Sequence, residues 1–151
     1  MIIIAHRGNI DGPQPSKENS PHYIDRAILF GFQVEIDVWM INGNIYLGHD
    51  KHEHIVAISW LEKNKSHLWC HAKNISALIW LQDNNFHCFW HDKDDYTLTS
   101  ENIVWAYPTS CITPECVYVV PEKDEKFSWE KASVAYGICT DYAIDFYKKF
   151  L

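Results

Sequence analysis

Glu35 and Asp37 stand two positions apart in the run Val34-Glu35-Ile36-Asp37-Val38. A run so rich in β-branched residues reads as a strand, and side chains alternate faces along a strand. The two carboxylates therefore share one face, while Val34, Ile36 and Val38 take the other. Where helices cover a parallel sheet both faces are apolar, so paired acids on one of them need compensation. Taking each anion out of water costs several kcal/mol, and a divalent cation with oxygen ligands supplies the missing charge. A strand with one wet face is the plain alternative. Three other segments favour the cation. His6-Arg7-Gly8 ends the apolar run Ile2-Ile3-Ile4-Ala5 and sets an imidazole beside a guanidinium fork suited to phosphate oxygens. Asn42-Gly43 signals a hairpin whose return strand leads to Gly48-His49-Asp50, bringing a second imidazole back to the same end. His71 and Lys73 share a face at the end of Leu68-Trp69-Cys70-His71-Ala72-Lys73.

These groups meet only if their strands lie side by side. Strand-like runs at 2–6, 33–39, 68–72, 86–90, 103–107, 117–120 and 137–140 alternate with helical stretches. Helices are expected from Ser20-Pro21 to Gly31, near Ile55 to Asn64, and at 76–83, 128–135 and 145–150. Repeated βα units predict a parallel sheet with outer helices. About seven strands approach the eight of a (β/α)8 barrel, although such barrels usually need roughly 200 residues or more. At 151 residues the expectation is an α/β fold: one domain over residues 1–151, a reduced TIM-like barrel with helices missing in its second half.

Composition narrows the function. The 15% aromatic content argues against disorder. A net charge of −7 weighs against nucleic acid as a partner, since such binders show a basic footprint. It leaves a phosphate ligand open, provided that positive charge is concentrated at its site. No apolar run approaches the roughly 20 residues of a membrane span, so stable membrane insertion is not expected. Met1-Ile2-Ile3-Ile4-Ala5 is too short for a leader and lacks a basic start, and the five cysteines show no CxxC spacing. Both point to a reduced, cytoplasmic setting. The seven tryptophans are expected to fill the core, with Trp39 and Trp105 the alternatives for a pocket wall. Cys70, Cys88 and Cys139 read as buried, Glu122-Lys123-Asp124-Glu125-Lys126 as a solvated turn, and Asp141 as a loop-fixing carboxylate. His91-Asp92 ends a strand and can face the same mouth.

The segments His6-Arg7-Gly8, Glu18-Asn19-Ser20, Gly31-Phe32, Glu35-Ile36-Asp37-Val38 and Gly48-His49-Asp50, in this order, resemble the signature of glycerophosphodiester phosphodiesterases. Thr140-Asp141-Tyr142 is similar to that family's final-strand segment, with Ala143 where proline is common. The resemblance implies a metal held by Glu35 and Asp37, an acid/base pair of His6 and His49, and phosphoryl contacts from Arg7 and Lys73. It places Glu18 as a carboxylate on the metal side or just behind it. The family usually adds a glutamate ligand where this chain has His71. Family members use Mg or Ca, whereas an imidazole ligand favours Mn or Zn. The implied reaction is metal-dependent hydrolysis of a small phosphodiester, one histidine taking a proton from the attacking hydroxyl and the other giving one to the leaving oxygen. Two rivals stand beside it: a non-catalytic descendant that binds a phosphorylated ligand, and a phospholipase or lyase acting on lipid headgroups.

Overall fold

The run Ile2–His6 forms strand β1, a central strand of a curled sheet, in a computed structural model that describes residues 1–108 and 110–151. Helix α1 (Pro21–Leu29) follows, with Ser20 at its N-cap and Pro21 in its first turn, where the missing N–H costs nothing. The Ser20 hydroxyl donates to the Lys17 carbonyl rather than capping the helix. Strand β2 (Gln33–Ile41) turns through Asn42 and Gly43, both at positive φ, into β3 (Asn44–Leu47), the two-residue hairpin that Asn-Gly demands. Next come β4 (His54–Val56), α2 (Ile58–Asn64), β5 (Leu68–Ala72), α3 (Ile75–Asp83) and β6 (Cys88–Phe89). The chain continues through β7 (Tyr96–Leu98), β8 (Val104–Ala106), β9 (Cys116–Val119), α4 (Trp129–Val134), β10 (Gly137–Thr140) and α5 (Ala143–Phe150).

Parallel pairing runs β6–β5–β2–β1–β10–β9–β8. Antiparallel additions extend it: β3 and β4 beyond the end of β1 along β2, and β7 on β8. The curl brings the two ends of the parallel path together. The rings of Phe89 on β6 and Trp105 on β8 lie 4.6 Å apart, and the Ser100 N–H reaches the Cys88 carbonyl at 2.8 Å. The result is a mixed α/β fold, a curled sheet with five helices among the described residues, compatible with a reduced barrel. None of those helices is long and apolar enough to cross a membrane.

The sheet separates two apolar regions. Val34, Ile36 and Val38 face outward onto Ile24 and Ala27 of α1 and their neighbours. Ile4, Trp69, Phe89, Trp105, Val117 and Cys139 fill the inside. Inward-facing residues near the carboxyl ends of the strands are polar instead, and there the site lies.

Several expectations need correction. Ile55 lies in β4, paired with β3, and helix α2 begins only at Ile58. The β-branched Ile55-Val56 pair continues the meander before a helix can start. The strand expected at 86–90 shrinks to Cys88–Phe89, because the Phe86 N–H closes onto the Leu81 carbonyl at the end of α3 and Trp90 is exposed. Strand β7 follows with no clear apolar alternation to announce it. No described residue between β6 and β9 is helical, as the thin pattern there predicts. Of the tryptophans only Trp69 and Trp105 belong to the buried core, while Trp90 and Trp129 are exposed. The charged run at 122–126 is not a solvated turn throughout: Asp124 is buried and accepts from Lys131 Nζ at 2.6 Å and from the Tyr118 hydroxyl.

Candidate functional site

Strand β2 turns Glu35 and Asp37 inward, both buried. The sheet register sets His6 beside Glu35 and His71 beside Asp37. His71 Nδ1 stands 3.1 Å from Asp37 Oδ1 and 4.0 Å from Glu35 Oε1. One donor atom from each of Glu35, Asp37 and His71 falls within 4.8 Å of the others, so the three can share one cation. Asp37 Oδ1 bears on that fit, because it is buried with no hydrogen-bond partner. A buried carboxylate oxygen that accepts no hydrogen bond, beside a second carboxylate and an imidazole, suits a borderline or hard divalent ion.

Two fixed cations also face Asp37: Arg7 Nε at 3.2 Å from Oδ2 and Lys73 Nζ at 3.5 Å from Oδ1. Burial opposes ionisation of Asp37, but His71, Arg7 and Lys73 outweigh it and hold its carboxyl well below the usual range. Glu35 moves the other way, pushed up by burial and by the Asp37 charge. The pair is thus divided into a firmly ionised member and one that gains from a further positive charge.

His6 and Arg7 are held by two other carboxylates. His6 Nδ1 lies 2.8 Å from Asp141 Oδ1, and its Nε2 lies 4.0 Å from Glu35 Oε2. Burial disfavours the charged imidazole, but Asp141 and Glu35 prevail and raise its pKa. Arg7 adopts a left-handed backbone (φ 52°) and donates from Nη1 to Glu18 Oε2 at 3.3 Å. Glu18 therefore stands behind Arg7 rather than among the convergent carboxylates. The fully buried Asn9 joins the two supports, its Nδ2 donating at 2.9 Å both to Glu18 Oε1 and to Asp141 Oδ1.

His49 stays at the rim. Its side chain is 41% exposed and its Nδ1 pairs with the exposed Asp50 at 2.7 Å. Partial burial, Arg7 and Lys73 lower its pKa against the opposing pull of Asp37 and Asp50. Trp39 braces this loop through its Nε1, which donates to the Gly48 carbonyl at 2.7 Å.

A cavity of about 320 Å³ opens between His6, Arg7, Glu35, His71 and Lys73, with Trp105 in its lining. A second, of about 560 Å³, reaches outward past Pro13, Pro15, Lys51 and Lys123. His6, Arg7 and His49 line both. The structure thus gathers Glu35, Asp37, His71, His6, Arg7 and Lys73, with His49 at the mouth and Glu18 one layer back.

The sequence assigned no role to Asn9, Asn19 or Tyr107. Tyr107 follows β8, and its hydroxyl bonds His91 Nε2, while the His91 ring stacks on His71 with centroids 4.5 Å apart. Burial, His71 and Lys73 push His91 down to about 4. The position of Tyr107 at the end of an expected strand was the one available signal, akin to that of His91-Asp92. Asn19 lies in the signature segment Glu18-Asn19-Ser20, but no role was read for it, and Asn9, between Gly8 and Ile10, gave no signal. Comparisons with protein-family models, curated proteins and solved structures find no significant match to this chain.

Proposed function

We propose that this chain is a metal-dependent phosphodiesterase acting on small substrates of the glycerophosphodiester type, on a reduced TIM-like barrel. The convergence of Glu35, Asp37 and His71 beside His6 and Arg7 carries this reading. The two cavities that meet at His6, Arg7 and His49 support a diester, which has one arm for each side of its phosphorus. Five unpaired cysteines are in keeping with a cytoplasmic setting.

Glu35, Asp37 and His71 would hold the cation, Mg or Ca by the resemblance and Mn or Zn by the imidazole. Bound there, it supplies Lewis-acid polarisation of a phosphoryl oxygen. Arg7 and Lys73 offset the charge of the phosphodiester, which otherwise repels a nucleophile. His6 and His49 then move the protons, one imidazole taking a proton from the attacking hydroxyl and the other returning one to the leaving oxygen. Imidazoles suit both tasks near neutrality.

The test is cleavage of bis(4-nitrophenyl) phosphate by the intact chain after EDTA treatment and readdition of Mg, Ca, Mn or Zn. At least one metal is expected to restore turnover, and His6→Ala and His49→Ala to lose about a hundredfold or more. Absence of turnover with every metal overturns the proposal. One observation favours a second reading, phosphate binding without cleavage: Arg7 and Lys73 already place two cations on the cavity wall. That reading predicts inorganic phosphate binding that persists in EDTA while no diester is cleaved.

A further inference from the structure

We infer that Asp141 is a positioning residue for His6, fixing the tautomer in which Nδ1 carries the proton and only Nε2 is free to exchange one with substrate. The inference rests on the phosphodiesterase reading for its catalytic meaning, but its structural content stands apart.

Strand β10 pairs with β1 in parallel, with Thr140 beside Ala5, so the next residue of each strand emerges at the same level. There the 2.8 Å contact joins His6 Nδ1 to Asp141 Oδ1. An ionised carboxylate only accepts hydrogen bonds, so Nδ1 must be the donor. Burial opposes ionisation of Asp141, but the His6 and Asn9 bonds prevail and hold its carboxyl below the ordinary value, which agrees with that role. Nε2 is then left on the side of Glu35 and the cavity.

Asp141 is itself held from three directions, one of them the Gly12 N–H, which donates to its carbonyl at 2.8 Å. Its Oδ1 accepts from Asn9 Nδ2 at 2.9 Å, and its backbone N–H donates to Glu122 Oε1 at 2.8 Å. The other oxygen of Glu122 accepts from the Thr140 hydroxyl at 2.9 Å. Asn9 cannot turn away, because its Oδ1 takes the Gln14 N–H and its amide also serves Glu18. His49 offers the contrast. Its carboxylate partner Asp50 is the next residue in the chain and 91% exposed, so nothing comparable holds that ring. A buried, braced acceptor of this kind orients an imidazole for proton transfer.

The test combines ¹⁵N NMR of the His6 ring, at a pH where it is neutral, with steady-state kinetics on bis(4-nitrophenyl) phosphate. Wild type is expected to show the Nδ1–H tautomer alone. Asp141→Ala should mix the tautomers and lower kcat at least about tenfold with KM within about threefold. Asp141→Asn keeps an acceptor facing His6, because Asn9 still requires its oxygen there, and should retain the tautomer and more activity than the alanine variant. An Nε2–H tautomer in wild type overturns the inference without any variant. So does a folded Asp141→Ala chain that keeps the single tautomer, or whose kcat stays within about twofold. If wild type cleaves nothing, the phosphodiesterase reading fails alone and the ring spectrum still decides the role of Asp141.

Discussion

The carboxamide of Asn19 holds Asp37 at two points. Its Nδ2 donates to Asp37 Oδ2 at 2.8 Å, and its Oδ1 accepts the Asp37 backbone N–H at 2.9 Å. The position explains the need. Along one edge of β2, pairing with β1 ends at Glu35 and pairing with β3 begins at Val38, so the Asp37 N–H falls in the gap. Both residues are buried, and water is no substitute there. The loop carrying Asn19 is tied back in turn, its N–H donating to the Arg7 carbonyl at 3.1 Å.

Asn19→Ala leaves that N–H without a partner and frees the Asp37 carboxylate. A loss of about 1–3 kcal/mol in urea unfolding is expected, together with reduced turnover. Asn19→Leu, which fills the space without an acceptor, should do no better.

The loop bearing His49 depends on Gly48, whose φ is +148° and where an added Cβ would lie 2.1 Å from the Lys51 carbonyl oxygen. Gly48→Ala must therefore shift the loop and carry His49 with it. Turnover should fall at least about tenfold while the circular dichroism spectrum is kept. Gly43→Ala is the control: its φ is +78° but nothing stands within 4 Å of the new Cβ. It should cost about 1–2 kcal/mol of stability and leave turnover unchanged.

Asp124 makes a prediction about pH. Burial disfavours its charge, but Lys131, Tyr118 and the Lys126 N–H prevail and depress its pKa. A carboxyl lowered on folding stabilises the protein above its unfolded value, about 3.9, and that contribution is lost as pH falls through the lower folded value. Wild type should exceed Asp124→Asn by about 1–3 kcal/mol at pH 7. The gap should close below about pH 4. A gap that stays constant down to the acid transition would count against this role.

What the sequence made legible follows from what each signal reports. The alternation of Val34, Ile36 and Val38 with Glu35 and Asp37 describes a face, so the inward carboxylates could be read directly. The Asn42-Gly43 turn likewise describes a backbone conformation that few other pairs adopt. The supports of the site were hidden because they act across the chain. Asn9 meets Asp141 at a separation of 132 residues, and no local pattern marks such a contact. Asp124 was read as solvated because its neighbours are charged, although its partners Tyr118 and Lys131 lie on β9 and α4. The tryptophans misled for a related reason. Their area favours burial, yet Trp90 lies just past the end of β6 and Trp129 opens α4, and both stay partly outside.

The proposed chemistry depends above all on Glu35, Asp37 and His71 holding one divalent cation together. Titration of Mn²⁺ into the intact chain, followed by the loss of the free-ion electron paramagnetic resonance signal, tests this most directly. A single saturable ion per chain is predicted, with Asp37→Asn and His71→Ala each weakening it about tenfold or more. An intact chain that leaves all the manganese free, or folded variants that bind it as tightly as wild type, would contradict the account.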